Sequence, residues 1–345
     1  MAPQACPKRH AWMSGLAGAA GTMSSRFSYL IPKLEAAPLL ETPFPHVEIQ
    51  GFLAARDFEQ LVNHPQIRLG PKRRTEALLT ALAASGYAPI EFPGAITSAA
   101  DYLDWLAGHS DRRPHATTEG FGMVYRLQRP EGLIEELQAF LHSDAFTNCL
   151  TKKFGISRPV TPEIGVQKYL HGYEISPHPD IRRKALTFML NANSEPGSET
   201  EEIHTRYLVL KDKWRFIGRF WKRYPQLDRS WLPWDWCETS KEQRSNNSIV
   251  IFSPANDTLH AIRADYDHLG FQRTQVYGNL WYGGDHPPLY DSAHFRWPAP
   301  VREALAWRMI AAQKARSTAA CRRMRGSRLG EKLHALRRGR AAPDG

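Results

Sequence analysis

The 345-residue sequence has only four cysteines, Cys6, Cys149, Cys237 and Cys321, widely spaced and without a C-x-x-C pair. That excludes a disulfide scaffold and a cysteine-ligated zinc site, and it fits a reducing compartment, so a cytoplasmic location is expected. No run approaches the ~20 apolar residues a membrane-spanning helix needs. No internal repeat is present. Net charge is also scarce over most of the chain. The formal charge of +10 is concentrated after Pro300, where twelve Lys/Arg stand against three Asp/Glu, leaving 33 basic and 32 acidic residues before it. A nearly neutral body lacks the spread basic surface of a nucleic-acid-binding fold, and that reading is confined to the tail. What is plentiful is apolar: hydrophobic residues make up 42% of the chain, enough for a packed core and against wholesale disorder.

Composition divides the chain into four parts. Residues 1–25, rich in Ala and Gly, read as a disordered extension, with Met23 as an alternative start; the apolar stretch is too interrupted for a signal peptide. Residues 26–118 read as a helical and strand support region. Residues 119–300 read as the main core, with a Trp-rich insertion at 211–238. Residues 301–345 read as a basic helical or disordered tail, and contact with nucleic acid or acidic lipid is the sharper alternative for it.

The periodicity predicts a strand around Val47–Ile49 and helices over Ala54–Asn63 and from Thr75, as N-cap, to Ala84, closed by Gly86. Further helices are expected after Thr97 or Ser98, over Glu131–Leu141 and over Ala145–Phe154. Arg112–Thr118 reads as a surface loop. A strand is expected at Met123–Leu127. Beyond Pro162 the texture changes to short strand-like runs: Gly165–Leu170, Ala185–Leu190, Arg206–Leu210, Ser248–Phe252 and Thr274–Trp281. Such runs, separated by turn residues, form a small all-β sandwich or barrel.

Within that region His178-Pro179-Asp180 places an imidazole and a carboxylate at i and i+2 of an extended segment, on one side. It follows the run Val166–Leu170 and precedes a second apolar run, Leu186–Leu190. A third ligand, His260, is expected just past the strand Ser248–Phe252. Two histidines and one carboxylate on one face of Fe(II) leave open positions for an oxo acid and O2, and no cysteine is placed to favour zinc or copper. Arg273 opens the last strand; a buried guanidinium needs an anion, and a carboxylate can take it bidentately.

Taken in order, these segments resemble the 2-oxoglutarate- and Fe(II)-dependent oxygenases, in particular their prolyl-hydroxylase-like branch. The likeness runs over residues 160–283: Tyr169-Leu170-His171-Gly172-Tyr173, then His178-x-Asp180, Leu186–Asn193, Ile249–Phe252, His260, and Arg273–Trp281. It implies an α+β fold with a double-stranded β-helix (jelly-roll) core supported by N-terminal helices. It implies that His178, Asp180 and His260 bind iron and that Arg273 holds the distal carboxylate of 2-oxoglutarate. Tyr169 stands where the branch has a tyrosine on the cosubstrate side, and Asn191 where it often has a second. The implied reaction hydroxylates an unactivated C–H bond, consuming O2 and releasing succinate and CO2. Asp180 favours this over halogenation, for which related enzymes carry a small residue there. The branch's Gly-Gly-Glu-Leu segment is absent, replaced by Ser194–Glu202, and the His260-to-Arg273 spacing is slightly long.

The substrate expected is a small molecule, a modified amino acid or sugar, or a peptidyl side chain. Two alternatives stand beside this: a non-catalytic nucleic-acid-binding protein acting through its tail, and a cupin-like metalloenzyme without 2-oxoglutarate, which has no need of Arg273. Trp214, Trp221, Trp231, Trp234 and Trp236 read either as an insertion packing itself onto the barrel or as a wall of the substrate cleft. Arg182, Arg183 and Lys184 read as a solvated turn, with a substrate-anion contact as the alternative. His204 reads as a surface partner of Glu201 and Glu202, and His286 as a loop residue. His171 and His268 are alternative ligands, and Cys149 and Cys237 are packing residues.

Overall fold

The computed structural model describes residues 25–283 except Pro93, 110–119 and Asp228. The N-terminal extension, the Arg112–Thr118 loop, His286 and the basic tail lie outside the described residues. In chain order the elements are α1 (Leu30–Ala36), β1 (Val47–Ile49), α2 (Ala55–Val62), α3 (Thr75–Ala84), β2 (Tyr87–Pro89), α4 (Ala99–His109), β3 (Val124–Leu127), α5 (Leu133–Leu141) and α6 (Asp144–Lys153). There follow β4 (Val160–Tyr169), β5 (Glu174–His178), β6 (Lys184–Asn191), β7 (Thr205–Leu210), α7 (Phe216–Arg223), β8 (Cys237–Gln243), β9 (Ile249–Phe252), β10 (His260–Arg263) and β11 (Arg273–Tyr282).

The strands form a seven-stranded sheet, β1-β9-β6-β11-β4-β3-β2, and a four-stranded sheet, β5-β10-β7-β8. Every pairing is antiparallel. From β4 to β11 the chain passes repeatedly from one sheet to the other, an order consistent with a jelly roll. The mixture of helices and antiparallel sheet agrees with the α+β expectation.

The period of two in the larger sheet separates two environments. Leu186, Phe188 and Leu190 of β6, Val276 and Leu280 of β11, and Ile249 and Ile251 of β9 join the helices in one core with Leu30, Leu34, Leu78, Leu82, Leu137 and Phe146. Gly278 belongs to this face: a Cβ there would lie 2.1 Å from the Phe188 ring, so only glycine lets the ring lie across β11. The alternate residues face the other sheet, where Met189, Val250 and Phe252 meet Tyr207 of β7. The polar residues Thr187, Asn191, Gln275 and Asn279 hold the same alternate positions, and all four are buried. Such a polar set between two sheets must be hydrogen-bonded or kept for a ligand.

Several expectations need correcting. Thr75 is not the N-cap of α3; Arg74 holds that position and makes no side-chain cap, while the Thr75 hydroxyl lies 3.4 Å from His268 Nε2. β4 begins at Val160, so Pro162 lies inside it, opposite Leu280. That position is tolerated because β3 pairs with β4 only at Gln167–Tyr169, leaving Pro162 on an unpaired edge. Strands β2, β5, β8 and β10 were not expected. β2 has three residues, β5 contains Pro177, β8 is a polar edge strand, and β10 has four residues, so none carries a clear alternating pattern.

The Trp-rich insertion joins β7 to β8 and folds onto the four-stranded sheet. Ile217, Phe220 and Trp221, at helical spacing on α7, are buried with Leu227, Leu232 and Trp236 against Leu208, Leu259 and Ala261. Trp214 stacks on Trp236 at 3.8 Å between ring centroids.

Candidate metal centre

Strands β5 and β10 are neighbours, and their register sets His260 directly opposite His178. Paired residues of an antiparallel ladder point to the same side, so two imidazoles 82 positions apart in the chain meet with ring centroids 4.3 Å apart. Asp180, two residues past His178, completes the group. One ligand atom from each of the three lies within 4.8 Å of the others. His178 Nε2 is 3.7 Å from Asp180 Oδ1, and His260 Nε2 is 3.9 Å from Asp180 Oδ2.

The tautomers are set by the backbone. His178 Nδ1 donates to Ser176 O at 2.9 Å, and His260 Nδ1 donates to Thr258 O at 3.1 Å. Each ring is tethered through Nδ1, so each Nε2 presents a lone pair toward the carboxylate. Burial, aided by the neighbouring His178, pushes His260 down to about 3, so it is a neutral imidazole at physiological pH. For Asp180, burial opposes ionisation, but Lys184 and the two histidines outweigh it and hold the carboxyl well below its usual range. Two imidazoles and an ionised carboxylate are a donor set that fits a divalent ion.

His178 was expected after the run Val166–Leu170; it instead ends β5, a strand of the opposite sheet, after a turn at Gly172. That turn has φ +84, and a Cβ on Gly172 would lie 2.1 Å from Trp105, so the chain reverses tightly beneath the indole. His260 opens β10 rather than trailing the preceding strand.

Around Asp180 the structure departs from the expected solvated turn. Lys184 is nearly buried; its Nζ donates to Asp180 Oδ1 at 2.7 Å and to the Tyr277 hydroxyl at 3.0 Å. Thr187 Oγ1 donates to Asp180 Oδ2 at 2.6 Å. Arg182 is likewise engaged, donating to Leu227 O and Trp221 O of the insertion. The insertion answers in kind: buried Arg229 donates from Nη1 to Pro179 O and Asp180 O, and Leu232 N donates to Pro177 O. Trp231 lies over His178 at 5.9 Å with rings 23° from parallel. So the insertion both packs itself and walls the metal-binding group. Thr187 and Arg229 were missed as site residues; Trp231 was weighed as a cleft wall, and Lys184 as a turn residue or substrate-anion contact but not as a partner of Asp180. The four-residue step from Asp180 to Lys184 was the one visible signal, and it reads as a surface pair until the loop is known to be buried.

Arg273 stands on the same interior face, at the start of β11, and is 3% exposed. Its Nε donates to Ile203 O, its Nη2 to Thr205 Oγ1 at 3.1 Å, and its guanidinium lies 4.3 Å from the centre of the Tyr169 ring. Nη1 is buried without a hydrogen-bond partner among the described residues. Burial draws its pKa down, while the surrounding tyrosines oppose that. Thr205, another residue missed in the sequence, follows His204 on β7. Tyr169 is buried, its hydroxyl 2.6 Å from the Gln167 amide, and burial pushes it up to about 12. Asn191 donates from Nδ2 to Gln243 O and accepts from Gln275 Nε2, both at 2.8 Å, so both ends of its amide are held by the protein.

The remaining candidates fall elsewhere. His204 is 5% exposed rather than a surface partner of Glu201 and Glu202, and burial, with Arg273 and Arg244 adding, lowers it to about 4. His171 and His268 stack on each other at 6.1 Å, outside the His178–Asp180–His260 group. Cys149 and Cys237 are buried, and burial pushes both thiols up, consistent with inert packing.

No family model matches the sequence, and no curated protein matches it. Solved structures do resemble it. A prolyl-4-hydroxylase from Pseudomonas putida has a TM-score of 0.39 at 12% identity, over 75% of this chain and 100% of that one. A prolyl hydroxylase from Trichoplax adhaerens, in complex with a hypoxia inducible factor peptide fragment, has a TM-score of 0.39 at 9% identity, over 74% and 89%. A 2OG-Fe(II) oxygenase family oxidoreductase from Burkholderia pseudomallei has a TM-score of 0.28 at 11% identity, over 61% and 93%. Likenesses of this size carry no weight beside the geometry of His178, Asp180, His260 and Arg273.

Proposed function

We propose that the protein is a 2-oxoglutarate- and Fe(II)-dependent oxygenase that hydroxylates an unactivated C–H bond. The observation that carries this is the meeting of His178, Asp180 and His260, with the two Nε2 atoms 3.7 and 3.9 Å from the Asp180 carboxylate oxygens. Buried Arg273, whose Nη1 has no partner among the described residues, supports the choice of an oxo diacid as cosubstrate.

His178, Asp180 and His260 would hold Fe(II). Arg273 Nη1 would take the distal carboxylate of 2-oxoglutarate, while Nη2 is held by Thr205 Oγ1 and the Tyr169 ring lies against the guanidinium. When bound, iron and 2-oxoglutarate supply O2 activation coupled to loss of CO2, with succinate as coproduct. The chain's own residues orient that chemistry. Ser176 O and Thr258 O fix the imidazole tautomers, Thr187 and Lys184 fix the carboxylate, and Trp231 excludes water from one face of His178. The substrate, a small molecule, a modified amino acid or sugar, or a peptidyl side chain, would enter at the metal end. A cupin-like metalloenzyme without an oxo acid leaves the unpaired Nη1 unexplained, since a buried, unsatisfied guanidinium nitrogen is unfavourable.

Anaerobic addition of Fe(II) and 2-oxoglutarate should give a weak visible charge-transfer band, absent in His178→Ala. No band in folded wild-type protein, or its survival in His178→Ala, would overturn the proposal.

A further inference from the structure

Asp180 is the single carboxylate of the metal-binding group, and its charge is already answered. Lys184 Nζ donates to Oδ1 at 2.7 Å, and Thr187 Oγ1 donates to Oδ2 at 2.6 Å. The ammonium cannot readily swing away. It donates to the Tyr277 hydroxyl at 3.0 Å and lies 5.7 Å and 5.6 Å from the ring centres of Tyr277 and Trp281. Further along the same polar chain, Asn279 reaches Glu163, but Glu163 is itself paired with Arg126 at 2.8 Å. It therefore offers little spare negative charge.

The electrostatic consequence is specific. A divalent ion entering alone adds two positive charges to a buried interior that already sets Lys184 and Arg273 against Asp180. A dianionic oxo acid entering with the ion cancels that addition. In a low-dielectric site such imbalances are felt over several ångströms.

We propose that Lys184 is a positioning and charge-compensating residue that makes metal capture depend on a dianionic chelator: the ion binds weakly alone and tightly together with the oxo acid. The inference rests on the proposed function and adds regulation of its metal site. By linkage the coupling is reciprocal, so the oxo acid also binds weakly without metal.

The test uses the full chain, stripped of metal, titrated with Mn(II) with and without 2-oxoglutarate, free Mn(II) being read by electron paramagnetic resonance. In wild type, 2-oxoglutarate should tighten Mn(II) by about tenfold or more. Lys184→Met should bind Mn(II) alone about tenfold more tightly than wild type, with the effect of 2-oxoglutarate cut to about threefold or less. Lys184→Arg, which keeps the charge, should behave as wild type. A merely structural role for Lys184 has the opposite sign, because losing an outer partner of a ligand weakens metal binding by about 10- to 100-fold. Agreement of Lys184→Met with wild type, or weaker binding in it, overturns the proposal while leaving the proposed function standing. No Mn(II) binding by folded wild type under either condition removes the metal site itself. Lys184→Gln replaces Lys184→Met if the latter does not melt cooperatively. Should neither fold, coupling below about threefold in wild type still overturns the proposal.

Discussion

The two ends of the interior are built to different degrees of completeness. At the metal end every group is already held in place: both Nδ1 atoms donate to backbone carbonyls, each Asp180 oxygen accepts one hydrogen bond, from Lys184 or Thr187, and the Asp180 carbonyl accepts from Arg229. At the Arg273 end, Nε and Nη2 are held, but Nη1 is buried with nothing to donate to among the described residues. The first end is preorganised by the protein, and under the proposed function the second would be finished by a ligand. Rigid ligands suit an ion that tolerates little misplacement, whereas an unsatisfied cation creates selectivity for an anion.

Substitutions can separate the ends. The largest effect is expected for His260→Ala, which should reduce Mn(II) affinity by about 100-fold or more; calorimetric titration checks it, and near-wild-type affinity would show that the imidazole is not a ligand. Arg273→Met should do the converse. It should leave Mn(II) binding alone within about threefold, yet weaken 2-oxoglutarate by about 100-fold, in the range for losing a buried charged partner. Equal loss of both ligands would erase the contrast between the ends.

Arg229→Met sharpens the comparison, because it cuts the insertion from the Pro179 and Asp180 carbonyls without touching a side-chain ligand. Metal affinity should fall about tenfold with the oxo-acid response retained. An unchanged affinity would make the insertion a cover and not a support.

The smallest effect concerns stability against pH. Lys168 is fully buried, donates to Ile67 O and Thr274 Oγ1, and is lowered by burial to about 7. Between about 7 and its unfolded value near 10.4 the unfolded chain binds more protons, so stability should rise with pH across that window. Below the folded value this group adds no further slope. A melting temperature that climbs from pH 7 to 9.5 in wild type but is flatter in Lys168→Met is the expected result. His204 and His268, both lowered by burial to about 4, act in the acid range. The unfolded chain binds more protons between about 4 and 6.5, so stability should drop as pH falls through that interval.

Much of the site was legible because its residue types are scarce in combination. H-x-D, a distant histidine and an arginine opening a strand-like run could be located without coordinates. Their partners were not legible for a definite reason. Thr187, Thr205 and Lys184 look like ordinary strand or turn residues, and their roles arise from a register between strands far apart in the chain. The short strands β5 and β10 carry too few residues for periodicity to separate them from loops, although they hold both histidines. His204 shows the opposite error: next to two glutamates it reads as surface, but burial is set by what covers a residue and not by its neighbours in sequence.

The amino-acid sequence alone determined the apolar periodicity of the helices and long strands, the near-neutral body and the inventory of metal-capable side chains. These are local properties, encoded within a few residues. Only the tertiary structure decided that His178 and His260 stand opposite each other, that Lys184 closes onto Asp180, and that one nitrogen of Arg273 is left unpaired among the described residues. Those facts depend on strand pairing and burial, which bring distant segments into a water-poor interior where each polar atom must find a partner or wait for a ligand.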